Sequence, residues 1–358
     1  INNSFAKIYY IDEGIMKAAI INNYSDDYSA LKYDSVEIPK INSKEVLIKV
    51  HASGVNHCDT DLRKGLFGVD SKMPHVMGVD AAGEVIEIGS DVCQFKIGDR
   101  VSPHFILSCG SCLYCSDGKE NICPHAGVLG VTEWGGYSEY IKVKENNLIK
   151  IPDGLSFDHA VAGQIPFATA WEALIDVAKI RLGETVLITA AGGGVGSAAI
   201  QVAKHAGARV IAAAGADEKL DKAIELGADN VINYTTNSLG DAVRDLTEGE
   251  GVDVALEMTG GSILLQSIDA LSLGGRLATI GAHGGEKIEI DFIELFRKHV
   301  SIHGCGRSTK VHVEKVLNMM VIGLFKPIIH STFHLSEAGL AHELMESRNF
   351  FGRIILNP

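Results

Sequence analysis

The stretch from Thr185 to Gly207, TVLITAAGGGVGSAAIQVAKHAG, constrains the fold of this chain more than any other. An apolar, β-branched strand leads into a glycine-rich turn, and a helix of small residues opens at about Val195. Gly193 and Gly196 fill the last two positions of the G-x-G-x-x-G dinucleotide fingerprint, with Ala191 in the first. Such a turn lets the backbone and the free N–H groups of the helix approach a pyrophosphate. A tight strand-to-helix turn without a ligand is the alternative.

The strand-helix unit repeats downstream, which favours a doubly wound parallel sheet over an isolated turn. A second strand at 209–213 follows at the expected interval, and a helix over 217–226 ends at Gly227. Further short apolar runs occupy 231–233, 252–257, 275–281 and 301–304. About six strands predict a complete dinucleotide-binding fold.

The composition excludes several classes of partner. The 358 residues are 46% hydrophobic, enough for two domains, and the net charge of −13 argues against nucleic-acid binding. No apolar run reaches the roughly 20 residues that span a bilayer, so we expect no membrane partner. The first fifteen residues lack the basic and apolar regions of a secretory signal, and we therefore expect a cytoplasmic protein.

Four cysteines form the most specific motif in the sequence. Their spacing is Cys109-x2-Cys112-x2-Cys115-x7-Cys123, and four thiolates can close a tetrahedral shell around one Zn²⁺ without an open position. Such a zinc is structural, and its binding would stabilise a lobe at about 105–125. Two disulfides are the alternative, which a cytoplasmic location disfavours.

The remaining segments predict a second, β-rich unit. Short strands and glycine turns dominate the first 165 residues, as in a small β-barrel. Val46, Ile48 and Val50 alternate along a predicted strand at 44–54, which indicates one buried face. Helical apolar spacing marks 311–324, and we expect the closing FFGRIIL to return as a strand to the first domain.

These motifs together resemble the medium-chain dehydrogenase/reductase superfamily, which includes the zinc alcohol dehydrogenases and the quinone oxidoreductases. The likeness covers about residues 16–358 and rests on the four-cysteine lobe, on GVDAAGEVIEIG followed by GDRV, on AAGGGVG and on FGRIIL. It implies an α/β fold with a GroES-like β-barrel catalytic domain at 16–165 and 307–358. A doubly wound Rossmann domain at 166–306 would bind NAD(P)(H), and residues 1–15 would form an N-terminal extension.

The sequence departs from the alcohol dehydrogenases at the three positions that hold their catalytic zinc. In a gap-free register these positions fall on Asn56, Val79 and Ile165. Val79 and Ile165 have no lone pair to offer a metal. The same register matches the Val-Asn-x-x-Asp pattern of the quinone oxidoreductases, with Asn56 and Asp59 in the matching positions.

Two alternatives stay open. With a two-residue insertion, Cys58 takes the place of the first zinc ligand, and a re-sited catalytic zinc would use His57, Asp59 or Asp80 as partners. The protein would then be an alcohol dehydrogenase. The empty ligand positions are also compatible with a nucleotide-binding protein that has no activity.

The expected chemistry is NAD(P)H-dependent reduction of a small-molecule carbonyl, either a quinone or an α,β-unsaturated carbonyl. Hydride addition to such acceptors places charge on an enolate or phenolate oxygen, which hydrogen bonds can stabilise without a metal. We expect Asn56 to donate to this oxygen and Asp59 and Thr60 to line the same turn. Alternatively, Asn56 is a turn residue and Asp59 caps a short helix.

The cofactor is expected to be NADP(H), with NAD(H) possible. Ala214 stands where NAD enzymes carry an acid, and Asp217 suits the N-cap of the next helix. A 2′-phosphate would then be received by Gly215 and Lys219, with Tyr234 nearby. The resemblance implies further cofactor contacts from Thr169, Gly193, Gly194, Val195, Thr259, Gly281 and Arg353.

The resemblance also implies a homodimer in which the last Rossmann strand, around 299–304, pairs with its twin. Such pairing would cover an otherwise exposed sheet edge. A homotetramer is the alternative.

Overall fold

A parallel six-stranded sheet carries the glycine-rich segment in the computed structural model, which describes residues 14–358. Residues 1–13 of the predicted extension lie outside the described residues. The strands are β1 (Ile15–Ile21), β2 (Lys32–Glu37), β3 (Glu45–Gly54), β4 (His75–Val76), β5 (Ala82–Ile88), β6 (Arg100–Pro103), β7 (Ile106–Leu107), β8 (Gly127–Val128), β9 (Tyr140–Lys144), β10 (Leu148–Lys150), β11 (Thr185–Ile188), β12 (Arg209–Ala214), β13 (Asn230–Asn233), β14 (Val252–Glu257), β15 (Leu271–Thr279), β16 (Ser301–Gly304), β17 (Ile329–His334) and β18 (Arg353–Asn357).

The helices lie between these strands. They are α1 (His57–Arg63), α2 (Leu113–Ser116), α3 (Phe157–Trp171), α4 (Gly194–His205), α5 (Asp217–Glu225), α6 (Leu239–Leu246), α7 (Gly261–Asp269), α8 (Phe292–Arg297), α9 (Lys310–Val321) and α10 (Ala338–Ser347). None of the helices within residues 14–358 is long and apolar enough to cross a membrane.

The six parallel strands run in the order β13-β12-β11-β14-β15-β16, so the chain starts at the centre and reverses direction once. This is the doubly wound order that the repeated strand-helix pattern predicts. The predicted strand at 275–281 differs most, because β15 begins at Leu271. The pairing of β15 with β14 is interrupted between Val252 and Val254. In the corresponding part of β15, Gly274 has a φ of +78°, a value typical of turns, which is why the sequence pattern predicts a later start.

The core of this sheet follows from its residue types. Val186, Leu187 and Ile188 of β11 are fully buried, as expected for a strand covered on both faces. Helix α4 presents buried alanines, among them Ala199 and Ala203, to the core that it shares with α3. Small side chains allow the two helices to pack closely.

Both ends of the chain build the second unit. A seven-stranded sheet has the order β10-β6-β5-β3-β18-β17, with β9 also pairing with β3. Strand β18 runs antiparallel to β3, with Leu356 opposite Ser53 and Ile355 opposite Gly54. The predicted return of the C-terminal strand to the first domain is therefore confirmed.

Helix α3 joins the two units. It runs without a break across the predicted boundary at 165/166 and continues into a π-helical turn at Glu172–Val177. Ser156 caps its start by accepting a hydrogen bond from the His159 N–H at 3.1 Å. Phe167 stacks on Phe325 with ring centroids 4.8 Å apart, and both side chains belong to the core around α4. The domain limits themselves stay predictions.

Candidate functional site

A cavity of about 380 Å³ lies at the carboxyl ends of β11, β12, β14 and β15. The glycine loop before α4 forms its floor, and α1, the end of α10 and the start of β18 close it from the other unit. The strand order reverses between β11 and β14, and open α/β sheets bind ligands at this switch point.

The glycine loop has the shape of an anion cradle. Gly193 is the N-cap of α4 and offers no capping side chain, so the first N–H groups of the helix are left for a ligand. A Cβ atom added to Gly193 would meet only the carbonyl oxygen of Ala190, at 3.4 Å. A Cβ atom at Gly196 would lie 2.4 Å from the same oxygen. Gly193 thus keeps space for a pyrophosphate, and Gly196 lets α4 pack on the strand.

Predicted cofactor residues line both ends of this cavity. The lining includes nine of the ten, namely Gly193, Gly194, Val195, Gly215, Lys219, Tyr234, Thr259, Gly281 and Arg353. Thr169 does not belong to it. That residue is buried within α3, and its contact with a cofactor stays a prediction.

The end of the cavity near β12 is cationic. Lys219 and Arg348 both line it, and Lys219 Nζ donates to the backbone carbonyl of Arg348 at 2.6 Å. Burial and the Arg348 charge lower the pKa of Lys219. No motif marked Arg348, which follows the end of α10 with a φ of +60°.

Asp217 does not have the predicted position. The N-cap of α5 is Ala216, and Asp217 is the first residue of the helix. Its Oδ1 accepts a hydrogen bond from Asn233 Nδ2 at 2.6 Å, which holds the carboxylate against the neighbouring strand end. Asp217 is not part of the cavity lining.

Glu257 supports the opposite end of the cavity, at the end of β14. Its buried carboxylate accepts from the N–H of Thr259 at 2.7 Å and of Gly260 at 3.0 Å. Burial raises the pKa of Glu257, although these N–H groups act in the opposite direction. The carboxylate fixes the loop that carries Thr259 into the cavity.

Arg353 links the cavity to the second unit. The buried guanidinium donates to Val55 O at 3.0 Å, to Asn56 Oδ1 at 2.8 Å and to Asp80 Oδ2 at 2.8 Å. Burial raises the pKa of Asp80 to about 7, and the Arg353 charge lowers it. Arg353 is the largest of the influences that favour the charged form of Asp80, followed by the hydrogen bond from Gln164.

The four cysteines converge. The Sγ atoms lie 3.5 Å apart for Cys112 and Cys115, 3.7 Å for Cys112 and Cys123, 3.7 Å for Cys109 and Cys123, and 3.9 Å for Cys109 and Cys115. A disulfide needs about 2.05 Å, so none of these pairs is bonded. A tetrahedron with Zn–S bonds of about 2.3 Å has edges of about 3.8 Å, which this arrangement fits.

A second group of metal-ligating residue types is Glu172, Asp176 and His312. His312 Nδ1 faces Glu172 Oε2 at 3.1 Å, and its Nε2 faces Asp176 Oδ2 at 2.8 Å. The Nδ1 atom also accepts a hydrogen bond from the N–H of Thr309 at 3.2 Å, so the ring caps the start of α9 as well as contacting the two acids.

Comparisons with known proteins decide the family. Residues 42–153 match the family model of the alcohol dehydrogenase GroES-like domain, and residues 194–321 match that of the zinc-binding dehydrogenase. An alcohol dehydrogenase of Geobacillus stearothermophilus is 33% identical over 342 residues, which cover 95% of this chain and 98% of the relative. The chain belongs to the medium-chain dehydrogenase/reductase superfamily. It is a nicotinamide-dependent oxidoreductase.

Two further relatives show the breadth of this superfamily. A quinone oxidoreductase of Sus scrofa is 34% identical over 329 residues, covering 90% of this chain and 91% of the relative. The crystal structure of an NAD-dependent alcohol dehydrogenase superposes with a TM-score of 0.92 at 37% identity, covering 96% of this chain and all of the other. Since the chain is an enzyme of this superfamily, the alternative of an inactive nucleotide-binding protein is disfavoured.

Of the three predicted catalytic residues, only Asn56 lines the cavity. Its Nδ2 donates to Gly54 O at 3.1 Å. The Asn56 side chain also acts on Asp80, whose pKa it lowers through a hydrogen bond. Asp59 is fully buried and accepts from the N–H of Asn56 at 2.8 Å and of Val79 at 3.0 Å. Asp59 thus has the helix-capping position that was the alternative.

Thr60 is also turned away from the cavity. It is buried, and its Oγ1 donates to the carbonyl of His57 at 2.7 Å, one turn earlier in α1. Neither Asp59 nor Thr60 lines the cavity, so the placement of these two residues does not support direct contact with a substrate.

The positions of the family's catalytic-zinc ligands hold packed side chains. Val79 is 2% exposed, and Ile165 packs against the same apolar cluster as Val79 and Cys58. Burial raises the pKa of Cys58 well above its ordinary value, which favours the thiol over the metal-binding thiolate. Among the residues of the described chain, neither group with metal-ligand geometry contains Cys58.

Three charged or titratable cavity residues were not among the predicted site residues. They are Asp61 in α1, His283 after β15 and Arg348 after α10. Asp61 follows Asp59-Thr60 in VNHCDTDL, a segment dense in reactive side chains, and this density was the available signal. His283 and Arg348 stand in turns without a local pattern.

The glycine loop generates a prediction for stability. We expect Gly196→Ala to lower the free energy of unfolding by about 1–3 kcal/mol, because the new Cβ would overlap the carbonyl oxygen of Ala190. Gly306→Ala is the matched control, since no atom lies within 4 Å of a Cβ at that site. Urea unfolding of both variants measures the difference, and equal stability would contradict the packing role of Gly196.

Proposed function

We propose that this enzyme reduces quinones or α,β-unsaturated carbonyls with NADP(H) and without a catalytic zinc. The supporting observation is the chemistry of the three positions where the family's alcohol dehydrogenases hold that metal. Asn56 is bound to Arg353, and Val79 and Ile165 are packed hydrocarbon side chains. These three side chains offer a metal only the amide oxygen of Asn56, which already accepts a hydrogen bond from Arg353.

Hydrogen bonds suffice for a conjugated acceptor. Its transition state carries charge on a phenolate-like or enolate oxygen, and a phenol has a pKa of about 10, against about 16 for water. A simple alkoxide is far more basic and gains more from a Lewis acid. Asn56 would supply a neutral donor at the cavity wall, since it lines the cavity and its Oδ1 is held by Arg353.

The chain's own residues would hold the cofactor along the cavity. Gly193 to Val195 and the start of α4 would bind the pyrophosphate, and Thr259 and Gly281 would border the nicotinamide half. The cofactor supplies the hydride when bound. The remaining task of the protein is to orient the acceptor and to stabilise the charge that develops on it.

Two cations and the missing acid support NADP(H) over NAD(H). Ala214 ends β12, so no carboxylate faces a 2′-phosphate there, while Lys219 and Arg348 converge on that end of the cavity. Charge-assisted hydrogen bonds to phosphate are about twice as strong as neutral ones. Tyr234 and Gly215 complete the wall.

One structural zinc ion held by the four cysteines is part of the proposal. The lobe is connected to the start of α9, since Glu120 Oε1 accepts from the N–H of Lys310 at 2.7 Å. Asn121 Nδ2 also donates to the carbonyl of Arg307 at 2.8 Å. The zinc would therefore stabilise this junction as well as the lobe.

We also propose a homodimer, or a homotetramer built from it, through the outer edge of the six-stranded sheet. Strand β16 is the last in the order, and its Ile302 is 38% exposed. Pairing with a second copy would satisfy the free edge of β16 and cover that side chain.

The substrate class is tested by turnover of the purified enzyme after a chelator wash. With NADPH we expect reduction of quinones and enones and little reduction of simple aldehydes, followed by the absorbance of the reduced nicotinamide. Alcohol oxidation that disappears on chelation and returns with zinc would instead establish a metal-dependent alcohol dehydrogenase. Absence of turnover with every acceptor would overturn the proposal.

The cofactor preference is tested at Lys219. We expect Lys219→Ala to raise the KM for NADPH by about 10- to 100-fold, because a charge-assisted bond to phosphate is lost, and to leave the KM for NADH within about twofold. Lys222→Ala, on the same helix but outside the cavity lining, is the control. Equal effects on both cofactors, or a wild-type preference for NADH, would contradict the assignment.

The metal is tested by elemental mass spectrometry. We expect about one zinc per subunit in the wild type and almost none in Cys112→Ser, which also has a lower melting temperature because the lobe loses its shell. Cys93→Ser changes an exposed cysteine outside the lobe and should alter neither value. A second zinc that persists in Cys112→Ser would support the re-sited site at Cys58.

A further inference from the structure

A histidine-carboxylate pair spans the cavity at the end opposite to Lys219. His283 Nε2 lies 3.0 Å from Asp61 Oδ2, and both side chains line the cavity. The two residues are 222 positions apart, one following β15 and the other in α1. The pair therefore connects the sheet unit with the unit that holds Asn56.

The backbone around His283 is held in a defined turn. Gly284 N donates to Thr259 O at 2.6 Å, and Gly285 N donates to Ala282 O at 2.9 Å. A Cβ atom at Gly284 would lie 2.9 Å from the Thr259 carbonyl oxygen. This close approach ties the loop after β15 to the loop after β14, so His283 is presented by a constrained segment.

Helix α1 presents a complementary face. His57 and Asp61 are four residues apart and therefore share one side of the helix. The His57 ring lies 4.9 Å from the His283 ring, centroid to centroid. Two residues of α1 therefore contact the His283 imidazole: Asp61 binds its Nε2 atom, and His57 packs beside the ring. Nδ1 is the His283 nitrogen left for an external partner.

We propose that His283 donates the proton to the reduced substrate and that Asp61 is the positioning residue that holds its ring. This inference rests on the proposed reduction of a conjugated carbonyl and names the group that completes it. His283 lines the same cavity as Thr259 and Asn56, beside the segment that we propose borders the nicotinamide.

The proton and electron balance is complete. Hydride forms a C–H bond at the β-carbon of an enone, and the π-electron pair moves to the carbonyl oxygen, giving an enolate. The Nδ1–H bond of protonated His283 breaks as an O–H bond forms, and the resulting enol tautomerises to the ketone. The substrate gains two electrons from the reduced nicotinamide, and neutral His283 recovers its proton from water in the open cleft.

The other titratable groups at this end are less suited to the task. Burial and the nearby His283 lower the pKa of His57 to about 4, so His57 is neutral at pH 7. Burial keeps Cys58 a thiol of very weak acidity. The hydrogen bond that His283 donates to the Asp61 carboxylate raises the pKa of His283 above its ordinary value of 6.5, which keeps more of the ring in the protonated form near neutrality.

Several charges face His283. Asp61 favours the protonated ring, whereas Lys64 at the end of α1 and Arg348 after α10 oppose it, and neutral His57 lies beside it. The net direction is upward. Because the protonated form is the donor, kcat for reduction is expected to be maximal below the pKa of His283 and to fall as pH rises through it.

The experiment compares His283→Gln and Asp61→Asn with the wild type over pH. For His283→Gln we expect kcat to fall by about 10²- to 10⁴-fold and the high-pH decline to disappear, together with the solvent isotope effect on kcat. For Asp61→Asn we expect a smaller loss, with the high-pH decline moved to lower pH. Asp70→Asn removes an exposed acid outside the cavity lining and serves as the control with wild-type behaviour.

Imidazole titration by NMR gives a readout that is independent of turnover. The His283 resonance, assigned by its loss in His283→Gln, should titrate at lower pH in Asp61→Asn than in the wild type. Unchanged titration would overturn the positioning role. Matching melting temperatures establish that the variants are folded, and Asp61→Asn retains the volume of the original side chain.

The outcomes separate the two proposals. If the wild type reduces enones or quinones and His283→Gln retains its kcat and pH profile, the proton-donor assignment is wrong and the proposed function stands. If the wild type reduces none of these acceptors, the proposed function fails, and the donor assignment fails with it.

Discussion

The buried ion pair between Arg353 and Asp80 is the interaction on which the site depends. Arg353 begins the last strand, yet its guanidinium reaches the backbone before α1, the Asn56 side chain and the Asp80 carboxylate. Its aliphatic stem also borders the glycine loop, since a Cβ at Gly194 would lie 2.6 Å from Arg353 Cδ. One side chain thus contacts both units. Breaking such a buried pair typically costs about 3–5 kcal/mol, because an unpaired charge remains.

This arrangement divides the cavity into electrostatically different halves. The start of α4 and the cation Lys219 face one half, which suits phosphates, whereas Arg348 acts on Lys219 and on His283 alike. The other half is bordered by an amide, two imidazoles and a carboxylate on α1 and the loop after β15. Charge that develops on a substrate there meets donors already oriented by the protein, which is the condition for electrostatic stabilisation without solvent reorganisation.

Local patterns predicted the parts of the structure that depend on local sequence. The strands around the glycine loop, the converging cysteines and the return of FGRIIL follow from periodicity, spacing and family motifs. The pairing of His283 with Asp61 in the cavity could not be predicted from local sequence, because the two residues are 222 positions apart and meet only through tertiary packing. Asp59 and Thr60 turned inward because α1 already begins at His57, which places Asp59 in its first turn as a cap. Ala216 takes the cap of α5 without any side-chain signal.

The packing of Val79 and Ile165 has a consequence for metal binding. A catalytic zinc held in the manner of the alcohol dehydrogenases would require new ligands at both positions and at Asn56, which is engaged by Arg353. Any single step would place a polar side chain in an apolar cluster with no metal shell to satisfy it, at a cost of about 1–3 kcal/mol. Single substitutions toward such a metal site are therefore expected to destabilise the fold before a complete ligand shell is present.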